Sequence, residues 1–386
     1  MTPAARLSAA ISILDRILAG APAEQALTNW SRASRFAGSG DRNAIRDLVF
    51  DAIRCRRSFA ALGGGETGRG LILGGLRAAG LDPALLFTGE GHAPAPLTEA
   101  DTGQPPEGAA ALDLPDWLLP DLQASLGADF AATAEALRHR APVFLRVNTA
   151  RIPPDAACAA LADEGITAEP HPLAATALLV TGNARKVQAS TAYTSGLVEL
   201  QDAASQAVIA ALPLSNGMKV LDYCAGGGGK SLAMAAAAKV ALYAHDADPR
   251  RMRDLPDRAK RAGARVTLIE TADLSRQAPF DLVLTDVPCS GSGSWRRAPE
   301  AKWLLTRARL DALCAIQAEI LQNAARLVRP GGWLGYATCS LLQAENGAQI
   351  DRFCAGTAGW REVSRRSLTP QDGGDGFFIA VLQRIS

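Results

Sequence analysis

From Met218 onward, short apolar runs that end on an acid or a cysteine alternate with stretches of helical composition. The runs are KVLDYCA (219–225), VALYAHD (240–246), RVTLIETAD (265–273), FDLVLTDVP (280–288) and GGWLGYATCS (331–340). Five such runs with helices between them constrain the fold to an α/β architecture, a doubly wound and mostly parallel sheet covered on both faces. A last run, GFFIAVLQRI (376–385), is expected to add an antiparallel strand at an edge.

The upstream half has a different texture. Leu7, Ile11, Leu14 and Leu18 form one helical stripe, and Asn43–Phe59 repeats that periodicity. Residues 31–57 carry seven Arg and three Asp. Residues 78–137 hold no Lys or Arg and are acidic, and their middle, about 82–112, is Gly/Pro-rich and expected as a linker or long loop. Beyond it, VFLRVNT (143–149) and ALLVTG (177–182) are strand candidates flanking a short helix at 154–163. This organisation predicts three parts: a helical domain with its linker at 1–135, a small α/β module at 140–205, and the doubly wound domain at 206–386.

Composition limits the functions available. At 48% apolar and 20% charged, the 386 residues suit a globular chain with its own core. The net charge of +1 argues against strong non-specific binding to nucleic acid, although a sum conceals local patches. Of the forty cations thirty-four are Arg, the better residue for forked phosphate contacts; a GC-rich genome produces the same bias. Seven Cys without a C-x-x-C pair and only four His predict no disulfide framework and no metal site. Arg6, Asp15 and Arg16 interrupt the first apolar stretch, and no run approaches a membrane span, so a cytoplasmic protein is expected.

The segment VLDYCAGGGGKS reads as strand, acid, glycine-rich turn and helix start. Its glycines let backbone approach a ligand, and the helix beginning near Lys230 directs free N–H groups at it. The spacing matches neither a P-loop nor a G-x-G-x-x-G fingerprint. Asp246 closes the next strand, where a carboxylate can hold ribose hydroxyls, and Asp273 follows the third, placed for the edge of an adenine. Either acid alone is equally a helix cap or a solvated turn. In order, one acid per strand end is the layout of a class I S-adenosylmethionine methyltransferase.

Two cysteines sharpen the reading. Cys289 and Cys339 each lie just past a strand, in the settings Pro-Cys-Ser and Thr-Cys-Ser, and those two strands are neighbours in such a sheet. Both thiols would then face one pocket at its carboxyl edge. Cys55, Cys158, Cys314 and Cys354 are read as small buried hydrophobes. Carbon 5 of cytosine is a poor nucleophile until a thiolate adds to carbon 6 and makes an enamine. The developing ring charge needs a donor at N3, a role for a protonated Asp286. Amine-directed methyltransferases need no thiol, and carry D/N-P-P-Y where this chain has Asp286-Val287-Pro288-Cys289.

With GLVELQDAAS (196–205), residues 220–231, 286–293 followed by RRAPEAKW, GYATCS with Glu345-Asn346, and DGFFIA, the chain resembles the Sun/NOP-type, RsmB-like RNA cytosine-5 methyltransferases over about residues 142–386. The resemblance implies Cys339 as nucleophile and Cys289 as the group assisting product release. It also implies an S-adenosylmethionine site of Cys224, Ala225, Gly226, Gly227, Gly228, Gly229 and Lys230 with Asp246, Asp273 and Asp286. One departure is Gly226-Gly227 where the family usually has Ala-Pro, which leaves the loop more flexible when unfolded.

The N-terminal helices resemble, more weakly, a NusB-type RNA-binding domain through Arg42, Arg46, Arg54, Arg56 and Arg57; an ordinary solvated helical face is the alternative. The 142–200 stretch resembles the small RNA-contacting module of the same family, with Arg146, Asn148, Arg185 and Lys186 as candidate contacts. Arg296, Arg297 and Lys302 are expected to grip the target strand, and Trp295 either stacks on a base or fills a core. RNA is the implied partner, ribosomal ahead of transfer RNA, acted on by a monomer without metal or membrane. A non-catalytic RNA-binding or assembly factor that kept the fold is the alternative.

Overall fold

The computed structural model describes residues 1–385, which divide into two compact units. One comprises Met1–Gln123, Phe130–Arg140 and Trp295–Leu304; the other comprises Ala124–Asp129, Ala141–Ser294 and Leu305–Ser386.

The second unit carries two sheets. In the smaller, β1 (Val143–Val147), β2 (Thr167–Pro170), β3 (Ala177–Gly182) and β4 (Val198–Leu200) lie in the order β2-β3-β1-β4, all antiparallel. Leu145, Val147, Leu178 and Val180 bury one face against Leu161 of helix Pro154–Asp163. The larger sheet comprises β5 (Lys219–Asp222), β6 (Ala241–Ala244), β7 (Thr267–Leu268), β8 (Phe280–Asp286), β9 (Val328–Thr338), β10 (Trp360–Leu368) and β11 (Phe377–Arg384). Their order is β10-β11-β9-β8-β5-β6-β7, with β5 to β9 parallel and β11 antiparallel to β9.

Side chains alternate across this sheet with the period-two geometry of a strand. Leu221, Val283, Leu334 and Tyr336 enter one core; Val220, Leu282, Leu284 and Ala337 enter the other. Burial on both faces is why these strands read as continuous apolar runs. The chain order reverses between β5 and β8, and the carboxyl ends flanking that switch point form the crevice where open α/β sheets bind ligands.

The edge differs from expectation. β11 lies inside the sheet, between β9 and β10, and β10 is the edge. Its sequence WREVSRRSL is exposed over most of its length and pairs with an apolar neighbour on one side only, so charge conceals it from a search for apolar runs.

The first unit is helical: Pro3–Leu18, Ala23–Ala33, Ser39–Arg54, Arg56–Gly63 and Gly68–Ala78 pack around Ile13, Leu14, Ile45, Val49, Leu71 and Leu73. The Gly/Pro-rich stretch expected as a linker is fastened to these helices. Asp101 is buried and takes a two-pronged pair from Arg69, which holds its carboxyl well below the usual range. Arg69 also donates to the carbonyls of Ala95 and Pro96, and Gln104 N–H to Ala61 O. Asp101 of this stretch therefore neutralises an arginine of the same unit.

Candidate active site

β5 ends at Asp222, and the chain turns through Tyr223–Gly228 into helix Gly229–Ala237. Gly228 has φ +79°, and a Cβ there would lie 2.1 Å from Leu255 Cδ1, so glycine is required on both counts. Asp246, just past β6, accepts from Gly226 N–H at 2.9 Å and pairs with Arg251 at 3.2 Å. The glycine loop is thus held onto the acid expected to face a ribose. Arg258 donates to Gly227 O, a staple where proline would otherwise have stiffened the loop.

Asp222 lies beneath this loop, fully buried, and burial pushes its carboxyl up to about 7. Its Oδ2 accepts from Ser231 Oγ at 2.6 Å, while Oδ1 is buried with no partner. Cys224 is half-buried, and burial raises its thiol well above the ordinary value. Glycine cradle, helix N-terminus and strand-end carboxylates together fit a ligand with a sulfonium, a ribose and a purine. Asp273 lies in the turn after β7, half-exposed and paired with Arg276.

Asp286 ends β8 and accepts from Lys230 Nζ at 2.7 Å. Burial works against the Lys230 ammonium, but this carboxylate outweighs it and the pKa stays above the ordinary value. At Asp286 Oδ2 the donor is the Lys230 ammonium, so Lys230 brings a positive charge to the position where a donor to the ring is expected.

Cys289 follows β8 and Cys339 follows β9, and their sulfurs are 3.4 Å apart. Fifty residues of chain are closed because β8 and β9 are adjacent and their loops interlock. Gly293 N–H donates to Cys339 O and Gly376 N–H to Gly293 O, each at 3.0 Å. A Cβ at Gly293 would lie 2.0 Å from Gly376 O, so only glycine permits this approach. The two thiols diverge in chemistry. Cys289 is raised well above the ordinary value, first by its hydrogen bond to Cys339 and then by burial. Cys339 is lowered, first by the same bond, with Lys230 contributing in the same direction. Cys339 is the sulfur more ready to carry negative charge.

The polar groups behind the thiols were not singled out from sequence as a network. Ser290, Ser292, Ser340, Gln317 and Glu345 bond to one another in a buried cluster. The available signal was a serine directly after each cysteine.

Several candidate RNA contacts are placed elsewhere. Arg146 is buried, donates to Gln201 Oε1 at 2.6 Å and Gly229 O at 2.7 Å, and burial lowers it to about 10. Asn148 donates to the carbonyls of Gly196 and Ala262. Both side chains are buried and hold backbone carbonyls, Arg146 that of Gly229 beside the glycine turn. Trp295, Arg296 and Lys302 belong to the helical unit. Lys302 is 1% exposed, donates to Arg54 O at 2.9 Å, and burial lowers it to about 8. Arg296 is buried with its carbonyl accepting from Arg54, and Trp295 is a core residue. Of that group Arg297 alone is exposed. Arg46, Arg56 and Arg57 pair with Glu24, Glu66 and Asp116. Among the described residues no cluster of His, Cys, Asp and Glu is arranged to hold a metal, and no helix is long and apolar enough to cross a membrane.

Comparison with known proteins places these features in context. Residues 209–383 match the family model "16S rRNA methyltransferase RsmB/F", and residues 114–188 match the RsmF/B-like ferredoxin-like domain. The chain is 36% identical over 282 residues to ribosomal RNA small subunit methyltransferase B of Salmonella arizonae, covering 69% of this chain and 66% of the relative. It is 36% identical over 292 residues to the protein of that name from Xanthomonas campestris, covering 70% and 67%. The match thus spans about two thirds of the length of these relatives. A solved methyltransferase homologue from Pyrococcus horikoshii shares the fold at TM-score 0.64 and 24% identity, over 72% of this chain and 97% of that one.

Proposed function

Because this chain belongs to the 16S rRNA methyltransferase RsmB/F family, we propose that it methylates carbon 5 of a cytosine in small-subunit ribosomal RNA through a covalent bond to Cys339. The observation that carries this reading is the pair of thiols 3.4 Å apart beside the Lys230–Asp286 ion pair. Bound S-adenosylmethionine supplies an electrophilic methyl group. The protein's own part is nucleophilic: Cys339 Sγ, as thiolate, bonds to carbon 6, and the ring electrons move to make carbon 5 an enamine carbon. The Lys230 ammonium, held by Asp286, meets the negative charge that develops on the ring. Once carbon 5 has taken the methyl group, its hydrogen leaves as a proton to solvent water acting as the base, and the electron pair of that bond drives the elimination. The carbon 6–sulfur bond then breaks, restoring the aromatic ring and the Cys339 thiolate. Cys289 assists that release. The cytosine must be unstacked for Cys339 to reach carbon 6, so a loop or flipped base is the substrate form.

Trapping on RNA containing 5-fluorocytidine tests the assignment, since fluorine at carbon 5 blocks the final elimination. Wild type should form a stable protein–RNA adduct and Cys339→Ala none; an adduct with Cys339→Ala refutes the nucleophile. Cys289→Ala should accumulate adduct with ordinary cytidine, and its absence counts against the release role.

A further inference from the structure

Glu345 lies in a short turn seven residues after β9 and is fully buried. Its Oε1 accepts from Ser290 N–H at 2.8 Å and Gln317 Nε2 at 3.0 Å; its Oε2 accepts from Ser290 Oγ and Ser340 Oγ, both at 2.5 Å. Ser290 directly follows Cys289, and Ser340 directly follows Cys339. One carboxylate therefore ties together the loops that carry the two thiols. The knot is tightened around it: Ser292 Oγ meets Ser340 Oγ at 3.1 Å and accepts from Leu341 N–H, and Tyr336 OH donates to Glu345 O at 2.5 Å.

These donors are all neutral, and a buried carboxylate without a cation is costly unless its hydrogen bonds are complete. The same backbone crossing could be held by an uncharged amide, so the charge itself calls for a reason. An opposite charge acts on Cys339, that of Lys230, which is paired with Asp286.

We infer that Glu345 is a positioning residue that sets the register of the two thiol loops and, through its negative charge, keeps the proton shared by the sulfurs on Cys289, leaving Cys339 to attack. Two directions of influence agree with the geometry. Glu345 raises Cys289, after the larger effects of the Cys339 hydrogen bond and burial. Lys230 lowers Cys339, while Asp286 opposes it. The other titratable groups around the cluster are Tyr336 on β9 and Cys314 on helix Arg307–Ala325, both raised chiefly by burial, and Asp222 beyond Lys230. Asp311 and Arg352 act on Cys314 from outside.

The inference rests on the proposed Cys339 chemistry, but its test needs neither RNA nor methyl donor. The full chain is treated with iodoacetamide across pH 6 to 10, and alkylation of Cys289 and Cys339 is counted separately by mass spectrometry. Wild type should modify Cys339 first. In Glu345→Gln, folded by circular dichroism, the preference for Cys339 over Cys289 should fall about tenfold, the equivalent of one pH unit, and the Cys289 profile should move to lower pH. Glu345→Asp, which keeps the charge, should restore part of the preference. An unchanged ratio and profile in folded Glu345→Gln overturns the inference. If that variant does not fold, Ser340→Ala removes one bond to the same carboxylate, and an unchanged ratio there overturns it equally. If wild-type protein shows this thiol preference but transfers no methyl group to RNA, the proposed function is refuted and this inference stands.

Discussion

Replacing Lys302 with methionine asks whether this lysine grips RNA or is a charge buried for structural reasons. Its side chain is 1% exposed, with Nζ on Arg54 O and the Trp303 ring 4.6 Å away. Burial lowers its pKa to about 8 from an ordinary 10.5. At neutral pH that difference corresponds to about 3 kcal/mol by which folding is disfavoured. Since the folded value is the lower one, the unfolded chain binds the proton more tightly between about pH 8 and 10.5, and stability rises with pH through that window. The full cost applies below about pH 8; by pH 9.5 wild type should have regained about 2 kcal/mol. Methionine removes the titration but leaves Arg54 O without its donor, a loss of about 1–3 kcal/mol. The two proteins should therefore be similar in stability at pH 7 and separate by about 2 kcal/mol at pH 9.5, in favour of wild type. For a unit of this size that is about 4–8 °C in Tm, read by circular dichroism. Parallel curves from pH 7 to 9.5 would refute the buried-charge account. Affinity for single-stranded RNA and its salt dependence should be unchanged; a salt slope reduced by about one would restore Lys302 as a phosphate contact.

Other perturbations address the site. Gly293→Ala should cost about 1–3 kcal/mol in urea unfolding, because the added Cβ meets the Gly376 carbonyl at 2.0 Å; wild-type stability would disprove the close approach. Arg258→Ala should weaken S-adenosylmethionine binding about fivefold by calorimetry, the loss of about one hydrogen bond's worth of loop order at Gly227, and an unaltered Kd would show that the loop needs no staple. Asp222 ionises near pH 7 folded but near 3.8 unfolded, so wild-type stability should fall as pH rises between those values. Asp222→Asn should abolish that slope, worth up to about 4 kcal/mol, and a slope that persists in the variant assigns it to another group.

Residues 218–340 were the most legible part of the chain. β5, β6, β8 and β9 are buried on both faces, so each appears as an unbroken apolar run, and the acid or cysteine after it marks the carboxyl edge. β10 escaped because an edge strand follows no such rule, and its charges, Arg361, Glu362, Arg365 and Arg366, resemble a solvated loop. β7 was overestimated for a related reason: only Thr267–Leu268 pair, and both are exposed. The basic segments misled in one consistent way. Arg54, Arg146, Arg296 and Lys302 look like cations available to phosphate, but sequence does not reveal which carbonyls a side chain meets.

The sequence by itself determined the doubly wound sheet, the glycine turn after its first strand, and the placing of two cysteines just past neighbouring strands. Those features are local, set by hydrophobic period and by residue types with few other uses. Tertiary structure decided which charges are free and which thiol is the more acidic. Those properties depend on atoms far apart in the chain: Glu345 against Ser290, Lys230 against Asp286, Arg54 against Lys302. A charge's effect is set by distance and burial, and only the folded chain brings such groups within hydrogen-bonding range.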